Sequence, residues 1–243
     1  MFVSVRAIAL RTIKVNDSKS ILSAWSAELG RISLVMPAGG GKESRRRRAL
    51  TMPLSCFEGV VDVRPHVELY SIRDVRACEP MTSLSAHPVR SAVAMFLAEV
   101  LGVVLRDSQP DAVLWQFLQD SVTTLDRVEG RALANFHLVF LVHLGQFLGI
   151  YPDTSSWAEG RVFDMRDAVF RDSAPGHNDY IEAAQAKAVR ALALVDYDSM
   201  GRLAFVRSER SDALDAILRY YAIHHTPLAS IKSLEVVRML TMA

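Results

Sequence analysis

Only two cysteines, Cys56 and Cys78, occur in 243 residues. Two thiols cannot make a four-cysteine zinc site, and they are no disulfide scaffold for a chain of this length. They read as buried, reduced thiols of a cytosolic protein. Long hydrophobic runs are also missing. The longest, Ala132 to Ile150, is broken by Asn135, His137, His143 and Gln146, which indicates a buried helix and excludes a membrane span. The first fifteen residues scatter Arg6, Arg11 and Lys14 among apolar residues and lack the order of a signal peptide. There is no G-x-S-x-G nucleophile motif. Neither cysteine has the histidine and basic neighbours of a reactive thiol. His224 and His225 are adjacent, and His137 and His143 are six apart, so neither pair shares a helix face as metal ligands would. Internal repeats and low-complexity tails are absent. Nothing argues for a catalytic residue, a cofactor or a membrane partner.

Net charge is scarce too, at +1, but it is unevenly placed. Residues 1–80 hold 13 Lys/Arg against 8 Asp/Glu, whereas residues 81–243 hold 15 against 19. A basic N-terminal module is thus attached to a mildly acidic one, which suggests an anion-binding first part. Much of the excess lies between Pro37 and Met52, PAGGGKESRRRRALTM, where Lys42 and Arg45, Arg46, Arg47 and Arg48 follow three glycines. A phosphate-loop reading fails, because Met36 stands where that motif needs its first glycine and Glu43 where it needs Ser or Thr. Arginine's planar fork suits phosphate oxygens, so the loop is a candidate contact with nucleic-acid backbone. Its alternative is a solvated charge run. Arg6, Arg11, Lys14, Arg31, Arg73 and Arg76 are candidates to extend the track. Trp25, Phe57 and Tyr70 are candidate stacking platforms, each also suited to a barrel core.

The first 76 residues read as five strands: Val3–Val15, Ile21–Ser26, Arg31–Met36, one around Phe57–Val63, and Val67–Val75. The first is apolar on both faces near its middle, as in a bent, bulged strand serving two sides of a barrel. A longer connection between the third and fourth fits a small OB-type barrel. After about Pro80 the period becomes helical. Pro88 and Pro110 open helices, and Glu129–Leu148 reads as the central helix of a bundle, ended by Gly149 and Pro152. Residues 161–171 alternate like a hairpin turning near Arg166-Asp167. Asn178 or Asp179 is expected to cap a helix to about Val195, Ser211 or Asp212 to start another, and a last short helix to cover Ile231–Leu240. The fold class is therefore α+β: a five-stranded OB-fold barrel over 1–80, then an all-α helical domain over 81–243 with a hairpin insertion at about 151–178.

The ordered text from VNDSKSILSAWSAELGRISLVMP through the arginine loop to LSCFEGVV resembles the RecO family of DNA repair proteins. Asp17, Ile21-Leu22, Gly30-Arg31 and Leu50 through Glu58 stand at the family's positions. FHLVFLVHLGQFLGIYPD and LRYYAIHHTPLASIKSLEVVRML extend the resemblance over nearly the whole chain. It implies a recombination mediator, not an enzyme, that binds single- and double-stranded DNA and anneals complementary strands. Its implied partners are RecR, often RecF, and RecA, which is loaded onto DNA coated by single-stranded DNA-binding protein. The implied location is the bacterial cytoplasm, with the nucleoid. Many members carry a four-cysteine zinc module after the central helix. Tyr151–Asn178 contains no cysteine, so the resemblance is to zinc-free members. The family's helical domain docks the acidic, apolar tail of single-stranded DNA-binding protein, and Arg127 and Arg131 are candidates for a cationic rim there. A protein-interaction scaffold that binds no nucleic acid, and a metal-dependent hydrolase using the histidines with Asp164 and Asp167, are the competing readings.

Overall fold

The computed structural model describes residues 1–37, 49–78, 81–225, 228 and 231–241. Five strands come first: β1 (Phe2–Lys14), β2 (Lys19–Ser26), β3 (Gly30–Pro37), β4 (Cys56–Asp62) and β5 (Leu69–Ala77). They close into a barrel in the order β1-β2-β3-β5-β4. All neighbours are antiparallel except β3 and β5, which run parallel, with Ser33 opposite Leu69 and Val35 opposite Ser71. This is the five-stranded Greek-key order of an OB fold. Strand alternation builds the interior. Val5, Ala7 and Ala9 of β1, Leu22 and Ala24 of β2, Ile32, Leu34 and Met36 of β3, and Phe57 and Val61 of β4 form one buried cluster. The register shift between Ala9 and Arg11 is the expected bulge in the long first strand, and bulges let one strand turn a barrel corner.

Helices follow: α1 (Thr82–Ala86), α2 (Pro88–Val104), α3 (Ala112–Arg127), α4 (Gly130–Phe147), α5 (Ala183–Leu194), α6 (Arg207–His224) and α7 (Leu234–Thr241). Among the described residues none is long and apolar enough to cross a membrane. Packing divides the chain into two units, Met1–Arg127 and Val128–Ala243. The change of period near residue 80 and the break in packing at Arg127 are distinct features, because α1 to α3 pack with the barrel.

In the first unit α2 lies on β1. Ile8, Leu10 and Trp25 are buried without belonging to the interior cluster, so the barrel has a second apolar face outside. The Trp25 indole donates to Ser108 Oγ at 2.7 Å, tying β2 to the turn between α2 and α3. Gly30 has φ +67°, and a Cβ there would lie 2.5 Å from the Ser108 carbonyl oxygen, so only glycine lets the β2–β3 turn approach this closely. Asp126 caps α1 by accepting from the amides of Ser83 and Leu84.

In the second unit α4 is the central helix, as its nearly continuous apolar text predicts; eleven of its eighteen residues are buried. Tyr221 of α6 donates to the Leu141 carbonyl of α4 at 2.6 Å. Asn135 of α4 donates to the carbonyls of Met200 and Leu203. The expected hairpin forms from β6 (Val162–Asp164) and β7 (Val169–Arg171). A third strand, β8 (Tyr180–Ile181), pairs with β6 on its other side. Three helix starts differ from expectation, that of α7 falling at Leu234 instead of Ile231. Tyr180 and Ile181 are drawn into the sheet, with the Met165 amide donating to the Asp179 carbonyl, so α5 starts at Ala183. At α6 the Glu209 carboxylate accepts from the Val206 amide at 2.8 Å, which caps the helix four residues before Ser211.

Candidate nucleic-acid interface

One end of the barrel gathers the chemistry. The β1–β2 hairpin turns there, held by Asn16, whose side-chain oxygen accepts from the amides of Ser18 and Lys19. Lys19 stands opposite Pro37 in the β2–β3 register, and Pro37 is the last described residue before the arginine-rich segment. The chain is described again from Ala49 and runs along the same end of β1. Thr12 Oγ1 donates to the Thr51 carbonyl, the Leu54 amide donates to the Ala9 carbonyl, and the Ala9 amide donates to the Ser55 carbonyl. The described residues on either side of segment 38–48 thus lie at the end of the barrel that carries Arg11, Lys14 and Lys19, all of them exposed. Lys42 and Arg45 to Arg48 themselves lie outside the described residues.

The remaining cations of the barrel are mostly engaged. Arg6 pairs with Glu28 at 3.0 Å and lies over the Trp115 ring, 5.4 Å from its centre. Arg64 pairs with Asp62 at 2.6 Å and Arg76 with Glu58 at 2.5 Å. Arg64 and the other nearby cations hold the Asp62 carboxyl below the usual carboxylate range. Arg73 lies 4.4 Å over the Phe2 ring. Lys14 meets Asp17 at 2.6 Å, but both side chains are largely in solvent, and such pairs contribute little. Segment 38–48 contains five Lys/Arg and one Glu; the rest of residues 1–80 contains eight Lys/Arg and seven Asp/Glu. The body of the barrel is thus balanced, and nearly all of the module's positive excess belongs to segment 38–48.

Other residues singled out by sequence fall elsewhere. Arg31 is half-buried, and its guanidinium donates to the Gly102 carbonyl at 3.3 Å, near the C-terminus of α2. Burial first, and Arg106 second, lower its pKa. Trp25 and Phe57 are fully buried and offer no stacking face, while Tyr70 is half-buried against the barrel core. Arg127 ends α3 and Arg131 opens α4, both exposed. Lys19 was not marked by any sequence pattern. Its signal is the register, which a hairpin of this turn length would have given.

The order of strands, the arginine segment between the third and fourth, and the helical second part can be compared with known proteins. Residues 1–81 match the family model described as Recombination protein O N terminal, and residues 86–235 match Recombination protein O C terminal. The chain belongs to the RecO family. Among RecO relatives, the DNA repair protein RecO of Phocaeicola vulgatus is 34% identical over 233 residues, covering 96% of each chain. That of Bacteroides fragilis is 34% identical over 234 residues, again covering 96% of each. That of Porphyromonas gingivalis is 32% identical over 244 residues, covering 99% of each.

Where many RecO proteins carry a zinc module, the donor set here does not fit a metal. Among the described residues no group of three or more His, Cys, Asp or Glu is placed to hold one. The carboxylates of residues 161–179 face arginines instead. Asp164 is 1% exposed. One of its oxygens accepts from Arg171 Nε at 2.8 Å, and the other from the amides of Arg166 and Asp167. Burial works against its ionisation. The Arg171 hydrogen bond, the two amides and nearby His177 outweigh that and hold its carboxyl below the usual range. Arg166 pairs with Asp179 and Arg161 with Asp172. Two histidines also meet backbone carbonyls, His143 that of Val195 and His224 that of Met165.

The second unit also holds an apolar cavity of about 430 Å³ between α4, α5 and α6, lined by Leu141, Ile150, Phe163, Leu192 and Ile217 among others. Lys187, Glu209 and Asp212 are its charged neighbours. Arg131 does not line it. That residue sits ten positions before Leu141, or about 15 Å along the helix.

Proposed function

We propose that this chain is a non-enzymatic recombination mediator of DNA repair, acting in the bacterial cytoplasm. It binds single- and double-stranded DNA through the arginine segment and the end of the barrel that carries Arg11, Lys14 and Lys19. It anneals complementary strands and, with RecR and RecF, helps to load RecA onto DNA coated by single-stranded DNA-binding protein. The observation that carries the DNA-binding part is the concentration of charge: a balanced barrel body, with Lys42 and Arg45–Arg48 in the sequence between Pro37 and Ala49, whose described neighbours lie at that end of the barrel. Polycation contacts of this kind bind phosphate backbone by releasing counterions and need no base contacts. Screening by the same surface lowers the repulsion between two strands, which is the physical requirement for annealing. Relatives named DNA repair protein RecO over nearly the full length supply the process.

Annealing of complementary oligonucleotides coated with single-stranded DNA-binding protein tests this reading. Acceleration by the purified chain is the expected result. Assays with and without that protein's acidic C-terminal tail test docking at Arg127 and Arg131. A second reading, a protein-interaction scaffold, draws on the apolar cavity of the second unit. It requires that no oligonucleotide binds even at about 50 mM salt, where an electrostatic contact is strong.

A further inference from the structure

Cys56 is the first residue of β4, and Cys78 directly follows β5. The β4–β5 register sets Phe57 opposite Ala77 and Glu58 opposite Arg76. One step further along the same ladder sets Cys56 opposite Cys78, and the Cys78 amide donates to the Cys56 carbonyl at 3.1 Å. Directly opposed residues of an antiparallel pair present their side chains on the same face, and a hydrogen-bonded pair holds its Cα atoms about 5.5 Å apart. A disulfide spans Cα separations of about 4.4–6.8 Å. The neighbouring pair on that face shows that side chains do meet across these two strands, since Arg76 Nε lies 2.5 Å from Glu58 Oε1. Both cysteines are thiols. They differ in access: Cys56 is 3% exposed, whereas Cys78 is half-buried.

We infer that Cys56 and Cys78 form a reversible redox site, closed to an intramolecular disulfide by low-molecular-weight disulfides. The accessible Cys78 thiolate attacks one sulfur of the oxidant, forming a mixed disulfide and releasing one thiolate. The Cys56 thiolate then attacks the Cys78 sulfur and releases the second. The protons lost by the two cysteines end on the two released thiols, and the oxidant disulfide takes up the two electrons. The bridge staples the strands at a strategic place. Ser55, which precedes Cys56, is held on β1 through Ala9, so β4 begins directly after the stretch 49–55 that lies along β1. Cys78 is where the chain leaves the barrel for the helices. Closing a loop between residues 56 and 78 restricts the unfolded chain and therefore stabilises the barrel.

The test is incubation of the full chain with oxidised glutathione, followed by alkylation and intact mass measurement. The expected product has lost two hydrogens, retains no glutathione, takes up no alkylating agent, and yields a linked Cys56–Cys78 peptide on digestion. Its melting midpoint rises by several degrees and returns with dithiothreitol. In C56A, glutathione stays on Cys78 as a stable mixed disulfide; in C78S, no bridge forms and the oxidant leaves the midpoint unchanged. Wild-type protein that keeps glutathione on Cys78, forms disulfide-linked dimers, or still alkylates at both thiols would overturn the inference.

Discussion

Single residues carry several of the constraints, and Gly30 is the clearest. Its positive φ and the 2.5 Å approach of a Cβ to the Ser108 oxygen combine two costs. We expect Gly30→Ala to destabilise the first unit by about 2 kcal/mol or more, read as a lower urea midpoint with an unchanged slope. His137 is fully buried in α4, and burial, aided by Arg210, lowers its pKa to about 3. The unfolded chain then binds a proton that the folded chain refuses. Stability is whole above pH 6.5 and falls as the pH drops below it. A loss of about 2 kcal/mol between pH 7 and pH 5 is expected. His137→Leu should remove most of that slope in urea titrations at the two pH values. Not all residue-scale expectations were legible. Alternation alone could not tell that Trp25 points outward into a helical cover, or that Arg31 serves Gly102. Both depend on partners more than seventy residues away.

Elements were easier to read than residues. The five strands follow from alternation, and the bulge in β1 from apolar text on both faces. Register then brings Lys19 to Pro37 and Cys56 to Cys78, neither visible as spacing along the chain. Helix starts were less legible, because sequence ranks cap residues but tertiary pairing chooses among them. Asp179 is such a case, lost to the three-stranded sheet. That sheet is held by Asp164, which is buried, and Arg171, which is partly in solvent. Arg171→Met leaves the carboxylate with the amides of Arg166 and Asp167 and with His177, 3.5 Å away. We expect a loss of about 1–3 kcal/mol at pH 7, after discounting for solvent screening. Because the folded Asp164 carboxyl sits below its usual range, its contribution is present above the ordinary aspartate pKa and vanishes on acidification. The variant should therefore differ less from wild type as pH falls through that range, measurable by thermal unfolding at pH 7 and in acid.

At the scale of the molecule, the composition split and the family text both mark a boundary near residue 80, while packing closes the first unit at Arg127. The outer barrel face of Ile8, Leu10 and Trp25 explains the difference, since strands alone leave it bare. A fragment of residues 1–127 should be soluble and unfold cooperatively, and one of residues 1–80 should aggregate or bind a hydrophobic dye. The outcome is read by light scattering and calorimetry. The central claim is that segment 38–48, with Lys42 and Arg45–Arg48, is the DNA contact. The most direct measurement is the salt dependence of duplex binding for wild type and for the chain with Arg45, Arg46, Arg47 and Arg48 all changed to alanine. The account predicts weaker binding at low salt and a log–log slope shallower by roughly 3 to 4. Equal affinity and equal slope in a folded variant would contradict it.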